Sequence, residues 1–113
     1  MVYEWARYKT ELGNYTCPIH KTALLIGDRW TLFIIREFIY NGENQGFNQL
    51  LRNLKPISSR TLSLKLKKLE SAKILQRKII QERPIIIQYS ITQKGKALKK
   101  ALQSMAIWYE RFS

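Results

Sequence analysis

The sequence predicts a mostly helical α+β fold with one β-hairpin, and three observations lead to this prediction. Most apolar residues recur at the three- and four-residue steps of helices. Two adjacent runs rich in β-branched residues, ILQRKIIQ and PIIIQYSI, are typical of paired strands. The 113 residues, 45% of them hydrophobic, suffice for one domain with an ordinary core. We therefore expect a single domain over residues 1–113.

Three helices are expected in the first part of the chain. One covers about residues 2–12. A second begins at Pro18, whose fixed φ suits a first helical turn, and stops at Gly27. Asp28 is placed to cap a third, which begins near Trp30 and is apolar almost all round. This third helix is therefore expected at the centre of the domain.

Two further helices follow a turn. The composition of NGENQG, residues 41–46, predicts the turn. A short helix over residues 47–54 ends before a break at Pro56, and Ser58 is placed to cap the next helix, which runs to Ala72. One side of this helix predicts contact with a protein core through Leu62, Leu66 and Leu69. The opposite side is polar and cationic and carries Arg60, Thr61, Leu64, Lys67 and Lys68.

A hairpin and a last helix complete the predicted order. The hairpin covers residues 75–91 and turns at Glu82-Arg83, and Thr92 is placed to cap a helix over about residues 93–112. Three helices followed by a basic hairpin, in this order and at this size, describe a winged helix-turn-helix, with the helix-turn-helix at 47–72. A helix fits the major groove of B-DNA, whereas a hairpin tip reaches the neighbouring backbone or minor groove. Double-stranded DNA is therefore the expected partner.

Charge is distributed unevenly along the chain. The net charge is +12 at pH 7; residues 1–46 hold five basic and five acidic side chains, and residues 47–113 hold fifteen basic and three acidic ones. The entire excess thus coincides with the predicted helix-turn-helix and wing, which indicates a polyanionic partner. The alternative is a highly charged, solvated surface without a partner.

Three separated motifs resemble the HxlR-type winged-helix transcriptional regulators. They are CPIHKTALLIGDRWTLFIIREF, GFNQLLRNLKPISSRTLSLKLKKLESAKIL and YSITQKG, and they stand in the family's order over about residues 16–108. The sequence departs from the family at Lys73, where a glycine is usual, and at Glu82-Arg83-Pro84, where a Pro-Pro pair is usual. The resemblance implies a homodimeric repressor or activator that binds a two-fold symmetric operator. It also implies that the first and last helices form the dimer interface.

Candidate DNA contacts lie on both helices of the helix-turn-helix and on the wing. Free N–H groups and short hydroxyls at the start of the second helix predict a phosphate site, and Arg60 is expected to reach a base edge. Lysines 65 and 68 are expected at phosphates, whereas Lys67 is as well suited to solvent. Leu64 either touches a thymine methyl group or covers a neighbouring side chain. The predicted set is Ser58, Ser59, Arg60, Thr61, Leu64, Lys65, Lys68, Gln49, Arg52, Arg77, Lys78 and Arg83.

Large apolar side chains on the two terminal helices predict a dimer interface. They are too numerous for the terminal helices of a small monomer. The alternative is that the two termini pack against each other within one subunit. The residues are Trp5, Tyr8, Met105, Trp108, Tyr109 and Phe112.

Cys17 has two open interpretations. It stands just before a helix that begins at Pro18, where the helix dipole favours a thiolate and hence oxidation or attack on electrophiles. The family resemblance implies that a cysteine at this position serves some members as a redox or aldehyde/quinone sensor. The alternative is a small buried side chain near the dimer interface. A single cysteine excludes an internal disulfide framework and fits a reducing compartment, so a cytoplasmic location is expected.

Several classes of function are not expected. Cys17 and His20 form a Cys-x-x-His pair, but no other cysteine or histidine completes a closed zinc site, so we expect neither a metal nor a cofactor. A glycine-rich phosphate loop, a catalytic triad order and paired carboxylates are missing, so no enzyme is expected. The apolar runs are too short for a membrane span, and the start lacks the features of a signal peptide. The rival function is a nonspecific architectural nucleic-acid-binding protein.

Overall fold

The computed structural model describes residues 17–113, which form a helical body with a small antiparallel sheet. The predicted helix over residues 2–12, with Trp5 and Tyr8, lies outside this range. Helices in the described range are α1 (Pro18–Ile26), α2 (Arg29–Tyr40), α3 (Phe47–Asn53), α4 (Ser59–Ser71), α5 (Gln93–Lys96) and α6 (Lys99–Phe112). The strands there are β1 (Asn44–Gly46), β2 (Leu75–Glu82) and β3 (Ile85–Ile91). The mostly helical α+β fold class is confirmed.

The corner between α1 and α2 consists of Gly27 and Asp28, and it forms as the sequence predicts. Helix α1 begins at Pro18 and ends at Ile26. Asp28 caps α2, since its carboxylate accepts hydrogen bonds from the Thr31 amide at 2.9 Å and from the Thr31 hydroxyl at 2.7 Å. Helix α2 then runs through the centre of the described structure, where it buries Ile34, Ile35 and Phe38 completely.

The core joins α2 to both helices of the helix-turn-helix and to the sheet. Helix α4 presents the predicted leucine stripe to it, and each of the three leucines is at most 1% exposed. Burying one such side chain stabilises the fold by about 1.5–3 kcal/mol. The stripe therefore fixes which side of α4 faces solvent. Its residues are Leu62, Leu66 and Leu69.

A third strand replaces part of the predicted turn at residues 41–46. Residues 44–46 form β1, which pairs antiparallel with β3, so that the sheet order is β1-β3-β2. Gln45 is only 1% exposed, and its amide nitrogen donates hydrogen bonds to the carbonyl oxygens of Glu37, at 2.9 Å, and Gly42, at 3.0 Å. The prediction of a turn alone was wrong because backbone pairing with a distant strand creates β1, and such pairing needs no β-branched side chains.

The predicted hairpin is present as β2 and β3. Leu75 lies opposite Ile91 at its base, and the register shifts by one residue between Ile79 and Gln81. The chain turns at residues 83–84. The base of the hairpin is buried, whereas its outer half is exposed to solvent.

The last predicted helix is broken into two. Thr92 caps α5 as predicted, because its hydroxyl accepts a hydrogen bond from the Gly95 amide at 3.1 Å. A Cβ atom at Gly95 would lie 2.6 Å from both the Ile74 carbonyl oxygen and an Ile91 side-chain carbon, so glycine allows α5 to pack tightly on the sheet. The Leu98 amide then bonds the Gly95 carbonyl, a tighter spacing than that of an α-helix. The single helix over residues 93–112 was therefore a wrong prediction: α5 follows the sheet and α6 leaves it.

No helix within residues 17–113 is both long enough and apolar enough to cross a membrane.

Candidate nucleic-acid interface

The outward side of α4 is the centre of the candidate interface. Arg60, Leu64 and Lys67 lie opposite the buried leucine stripe and are exposed, Leu64 to 59%. Leu64 therefore does not cover a neighbouring side chain within the described residues to any large extent. An exposed leucine between two cations gives this surface both an apolar and a charged contact.

The start of α4 is capped and open to solvent. The Ser58 hydroxyl accepts a hydrogen bond from the Thr61 amide at 3.1 Å and donates one to the Thr61 hydroxyl at 3.0 Å. Ser58 and Ser59 are exposed, and Thr61 is half-buried. The first turn holds no acidic residue. The positive end of the helix dipole is thus available to an anion beside Arg60.

Lys65 and Lys68 lie on the flank of α4 that faces the corner between α1 and α2. The Lys65 ammonium group is 3.3 Å from the Asp28 carboxylate, and the Lys68 ammonium group donates a hydrogen bond to the Leu24 carbonyl oxygen at 2.9 Å. Burial raises the pKa of Asp28, but the two hydrogen bonds from Thr31 and the charge of Lys65 outweigh it, so the pKa is lowered overall. Both lysines are therefore bonded within the protein.

Helix α3 carries the remaining predicted contacts of the helix-turn-helix. Gln49 and Arg52 are exposed, and Arg52 lies in the last turn of α3. The chain between α3 and α4 is anchored by Leu54 and Ile57, which are 3% and 7% exposed, and the Ile57 amide bonds the Leu54 carbonyl. The buried connection fixes the two helices relative to each other.

The three basic residues of the wing point in different directions. Arg77 pairs with Tyr89 in the register and shares with it a groove of about 260 Å³ that also borders α4. Lys78 pairs with Gln88 and lies on the opposite face of the sheet, because successive strand residues alternate. Arg83 is exposed at the turn. The structure thus brings Arg77 next to α4 and separates Lys78 from it.

The apolar side of α6 has no cover within the described residues. Helix α6 has no buried residue, and the four predicted interface residues on it are 51–68% exposed. They are Met105, Trp108, Tyr109 and Phe112. The sequence reasoning did not include Ile107, which is 56% exposed on the same helix. At about 100° per residue, Ile107 lies roughly 150° from the middle of this set, on nearly the opposite side of the helix, and the three- and four-residue steps therefore missed it.

Cys17 is a free, buried cysteine, 8% exposed, at the residue that precedes α1. Its side chain makes no capping hydrogen bond to the helix. Residues 17–113 contain no group of three or more histidine, cysteine or acidic side chains that could hold a metal ion.

Comparison with known proteins agrees with this geometry. The family model described as HxlR-like helix-turn-helix matches residues 25–113. The chain belongs to this family. The match includes the helix-turn-helix, the wing and both last helices. HxlR-like proteins thus share the elements that form the candidate interface.

Curated relatives and solved structures support the family assignment. The HTH-type transcriptional regulator YodB of Bacillus subtilis is 33% identical over 102 residues, which are 89% of each chain. The uncharacterised HTH-type transcriptional regulator YvaP of the same organism is 37% identical over 81% of this chain and 84% of its own. The structure of reduced YodB covers 86% of this chain and 94% of its own with a TM-score of 0.73 and 33% identity.

Two relatives have structures in different chemical states. YodB has also been solved in diamide-treated and quinone-bound forms. The redox regulator HypR, in its oxidised form, is 29% identical and has a TM-score of 0.74 over 86% of this chain and 98% of its own. The HxlR-like fold is therefore confirmed with redox regulators among its structural neighbours.

Proposed function

We propose that this protein is a transcriptional regulator that binds a specific inverted-repeat DNA operator as a homodimer. The observation that carries the proposal is the division of α4 into a buried leucine stripe and an exposed side with Arg60 and Leu64. A helix held by the core on one side and bearing hydrogen-bond donors on the other is suited to reading bases in the major groove.

Each part of the interface has a separate role in this proposal. Arg60 reads a base edge, and Leu64 contacts a thymine methyl group. The start of α4 and the end of α3 hold phosphates through backbone N–H groups and exposed polar side chains. The wing contacts the neighbouring DNA backbone. The residues proposed for phosphate or backbone contacts are Ser58, Ser59, Thr61, Gln49, Arg52, Arg77, Lys78 and Arg83.

Dimerisation through α6 is supported by its apolar side, which no residue between 17 and 113 covers. Trp108 and Phe112 are 64% and 68% exposed with their ring centroids 6.2 Å apart, and Met105 and Tyr109 extend the same surface. A second copy of this helix, related by two-fold symmetry, would bury the surface and place two recognition helices for an inverted repeat. Sedimentation equilibrium is expected to give a dimer for the parent and a weakened dimer for Trp108→Ser. A monomeric parent at micromolar concentration would contradict this part of the proposal.

A sensory role for Cys17 is proposed from the redox and quinone forms of the relatives. The thiol is buried, so a small reagent such as diamide or a quinone has to reach it through a local opening. We expect diamide or a quinone to change DNA binding by the parent and to leave Cys17→Ser unaffected. An equal response of the two proteins would exclude this role.

Selection of binding sites from a random duplex pool tests the main proposal. At about 0.15 M salt, purely electrostatic binding is reduced, because the release of counterions loses its advantage. The expected result is one enriched inverted repeat that binds on the order of a thousandfold more tightly than random DNA. Binding without any enrichment would instead indicate a nonspecific architectural protein.

Two single substitutions on α4 test the assigned roles. Arg60→Ala is expected to abolish preference for the selected site, because it removes a base contact. Lys67→Ala removes the same charge from the same side of the helix and is expected to weaken binding to all sequences slightly. Equal loss of site preference in both variants would contradict base reading by Arg60.

A further inference from the structure

We propose that the corner between α1 and α2 sets the orientation of the recognition helix α4 through Lys65 and Lys68, which act as positioning residues and not as phosphate contacts. This inference rests on the proposed function, since it concerns how α4 is presented to DNA. It reassigns two lysines for which the sequence predicted a phosphate contact.

The contact made by Lys68 joins α4 to the end of α1. Its ammonium group donates a hydrogen bond to the Leu24 carbonyl oxygen at 2.9 Å, between residues 44 positions apart in the chain. Leu24 lies in the last turn of α1, where carbonyl oxygens lack partners within the helix and carry the negative end of the helix dipole. A lysine is therefore well matched to this position, and its bond satisfies a carbonyl group that the helix leaves open.

The contact made by Lys65 joins the same flank of α4 to the start of α2. Its ammonium group is 3.3 Å from the Asp28 carboxylate, and the two side chains are only 28% and 35% exposed. Asp28 is itself fixed, because it accepts two hydrogen bonds from Thr31. The ion pair therefore ties Lys65 to a carboxylate that does not move freely.

Together the two contacts resist rotation of α4 about its axis. Residues three positions apart lie on one side of a helix, so both lysines face the corner at successive turns. The leucine stripe fixes which side of α4 faces the core, and the two polar contacts narrow the remaining range of angles, because hydrogen bonds and ion pairs have directional geometry whereas the hydrophobic effect does not. That angle determines where Arg60 and Leu64 point. A small rotation would move the Arg60 guanidinium group away from the base edge without exposing the core.

The first experiment compares specific binding, binding to random duplex and salt dependence. The variants are Asp28→Asn, which keeps a good helix cap, and Lys68→Met, which keeps the apolar stem. For each, the ratio of affinities for the selected site and for random DNA is expected to fall about tenfold, as for the loss of one base contact. Affinity for random DNA and the dependence of affinity on salt are expected to remain as in the parent.

Matched controls separate positioning from a change in charge. Glu43→Gln removes one negative charge and breaks the ion pair between Glu43 and Lys96, at 2.9 Å, which does not involve α4. Lys21→Met removes one positive charge from an exposed position on α1. Both controls are expected to keep the parent's affinity ratio.

Two results of this experiment would overturn the proposal. If Lys68→Met weakens binding to every sequence and lowers the slope of log affinity against log salt by about 0.9 per subunit, the lysine is a phosphate contact. If Asp28→Asn and Lys68→Met keep the parent's affinity ratio, the corner does not position α4 for base reading.

A measurement without DNA tests the proposal even if the parent shows no sequence preference. Residual dipolar couplings of backbone amides vary periodically along a helix, and the phase of this variation reports the rotation of α4 about its own axis, relative to α2, in the free protein. The double variant Asp28→Asn/Lys68→Met is expected to change this phase, and Glu43→Gln is expected to keep it. An unchanged phase in the double variant would overturn the positioning role, whereas a parent without sequence preference would contradict only the proposed function.

Discussion

The Thr92 hydroxyl donates a hydrogen bond to the Lys73 carbonyl oxygen, at an oxygen-oxygen distance of 2.6 Å. The Thr92 amide donates to the Ile74 carbonyl at 3.0 Å, and the Thr92 hydroxyl accepts from the Gly95 amide at 3.1 Å. One residue thus joins the end of α4 to the start of α5. The relationship links two segments that the sequence places about 20 residues apart.

Thr92→Val is expected to destabilise the protein by about 1–2 kcal/mol, because it removes a helix cap and leaves the Gly95 amide and the Lys73 carbonyl without this partner. Urea denaturation measures the change. Thr92→Ser keeps the hydroxyl and is expected to remain within about 0.5 kcal/mol of the parent. A stable Thr92→Val together with a destabilised Thr92→Ser would mean that packing of the methyl group, and not the hydroxyl, matters.

Lys73→Gly is expected to stabilise the protein by about 0.5–1 kcal/mol. Lys73 has a φ of 65°, a left-handed conformation that costs a side chain about 1–2 kcal/mol and costs glycine almost nothing. The greater freedom of glycine in the unfolded chain offsets part of the gain. Thermal or urea denaturation is the measurement.

Lys67→Gly provides the control for this prediction. It replaces an exposed lysine in the interior of α4 by glycine and is expected to destabilise the protein by about 1 kcal/mol. If the backbone conformation at residue 73 causes the gain, Lys73→Gly must raise the free energy of unfolding and Lys67→Gly must lower it.

Leu66→Ala and Leu64→Ala are expected to differ sharply although they lie two residues apart on one helix. Leu66 is 1% exposed, so its truncation leaves a cavity and costs about 2–5 kcal/mol of stability. Leu64 is 59% exposed, so its truncation changes stability by less than about 0.5 kcal/mol and instead weakens binding to the selected DNA site. Stability from denaturation and affinity from titration with duplex separate the two effects. A large loss of stability in Leu64→Ala would place this residue in a folding contact.

The stability difference between the parent and Asp28→Asn is expected to depend on pH. The pKa of Asp28 in the folded protein is below its ordinary value of 3.8, so folding favours the charged form. The carboxylate therefore contributes its full stabilisation above about pH 4–5 and loses it as the pH falls from there through the lowered pKa. Urea denaturation at several pH values is expected to show the parent more stable at pH 7 and the difference shrinking below pH 4. Lys65→Met is expected to reduce this pH dependence, and an unchanged difference down to pH 2 would contradict the assignment.

The sequence was sufficient for features that arise from residues close together in the chain. The Ser58 cap and the leucine stripe of α4 follow from helical spacing, which depends on neighbours within four positions. Strand β1 could not be predicted in this way, because Asn44 pairs with Ser90 and its residues have low strand propensity. The same reason applies to Lys68, whose partner lies on another helix 44 positions away. The sequence shows that Lys68 is cationic but does not identify the group that its ammonium contacts.

The separation of α4 into a buried side and an exposed side affects how the sequence of such a protein can change in evolution. The core is stabilised by Leu62, Leu66 and Leu69. Arg60 and Leu64 are exposed on the other side and contribute little to the stability of the fold. Exchanging the outward residues therefore leaves the scaffold intact, since surface substitutions change stability little. In the proposed function, gene duplication followed by changes at two or three outward positions is then a short route from one DNA target sequence to another, while the rest of the protein stays unchanged.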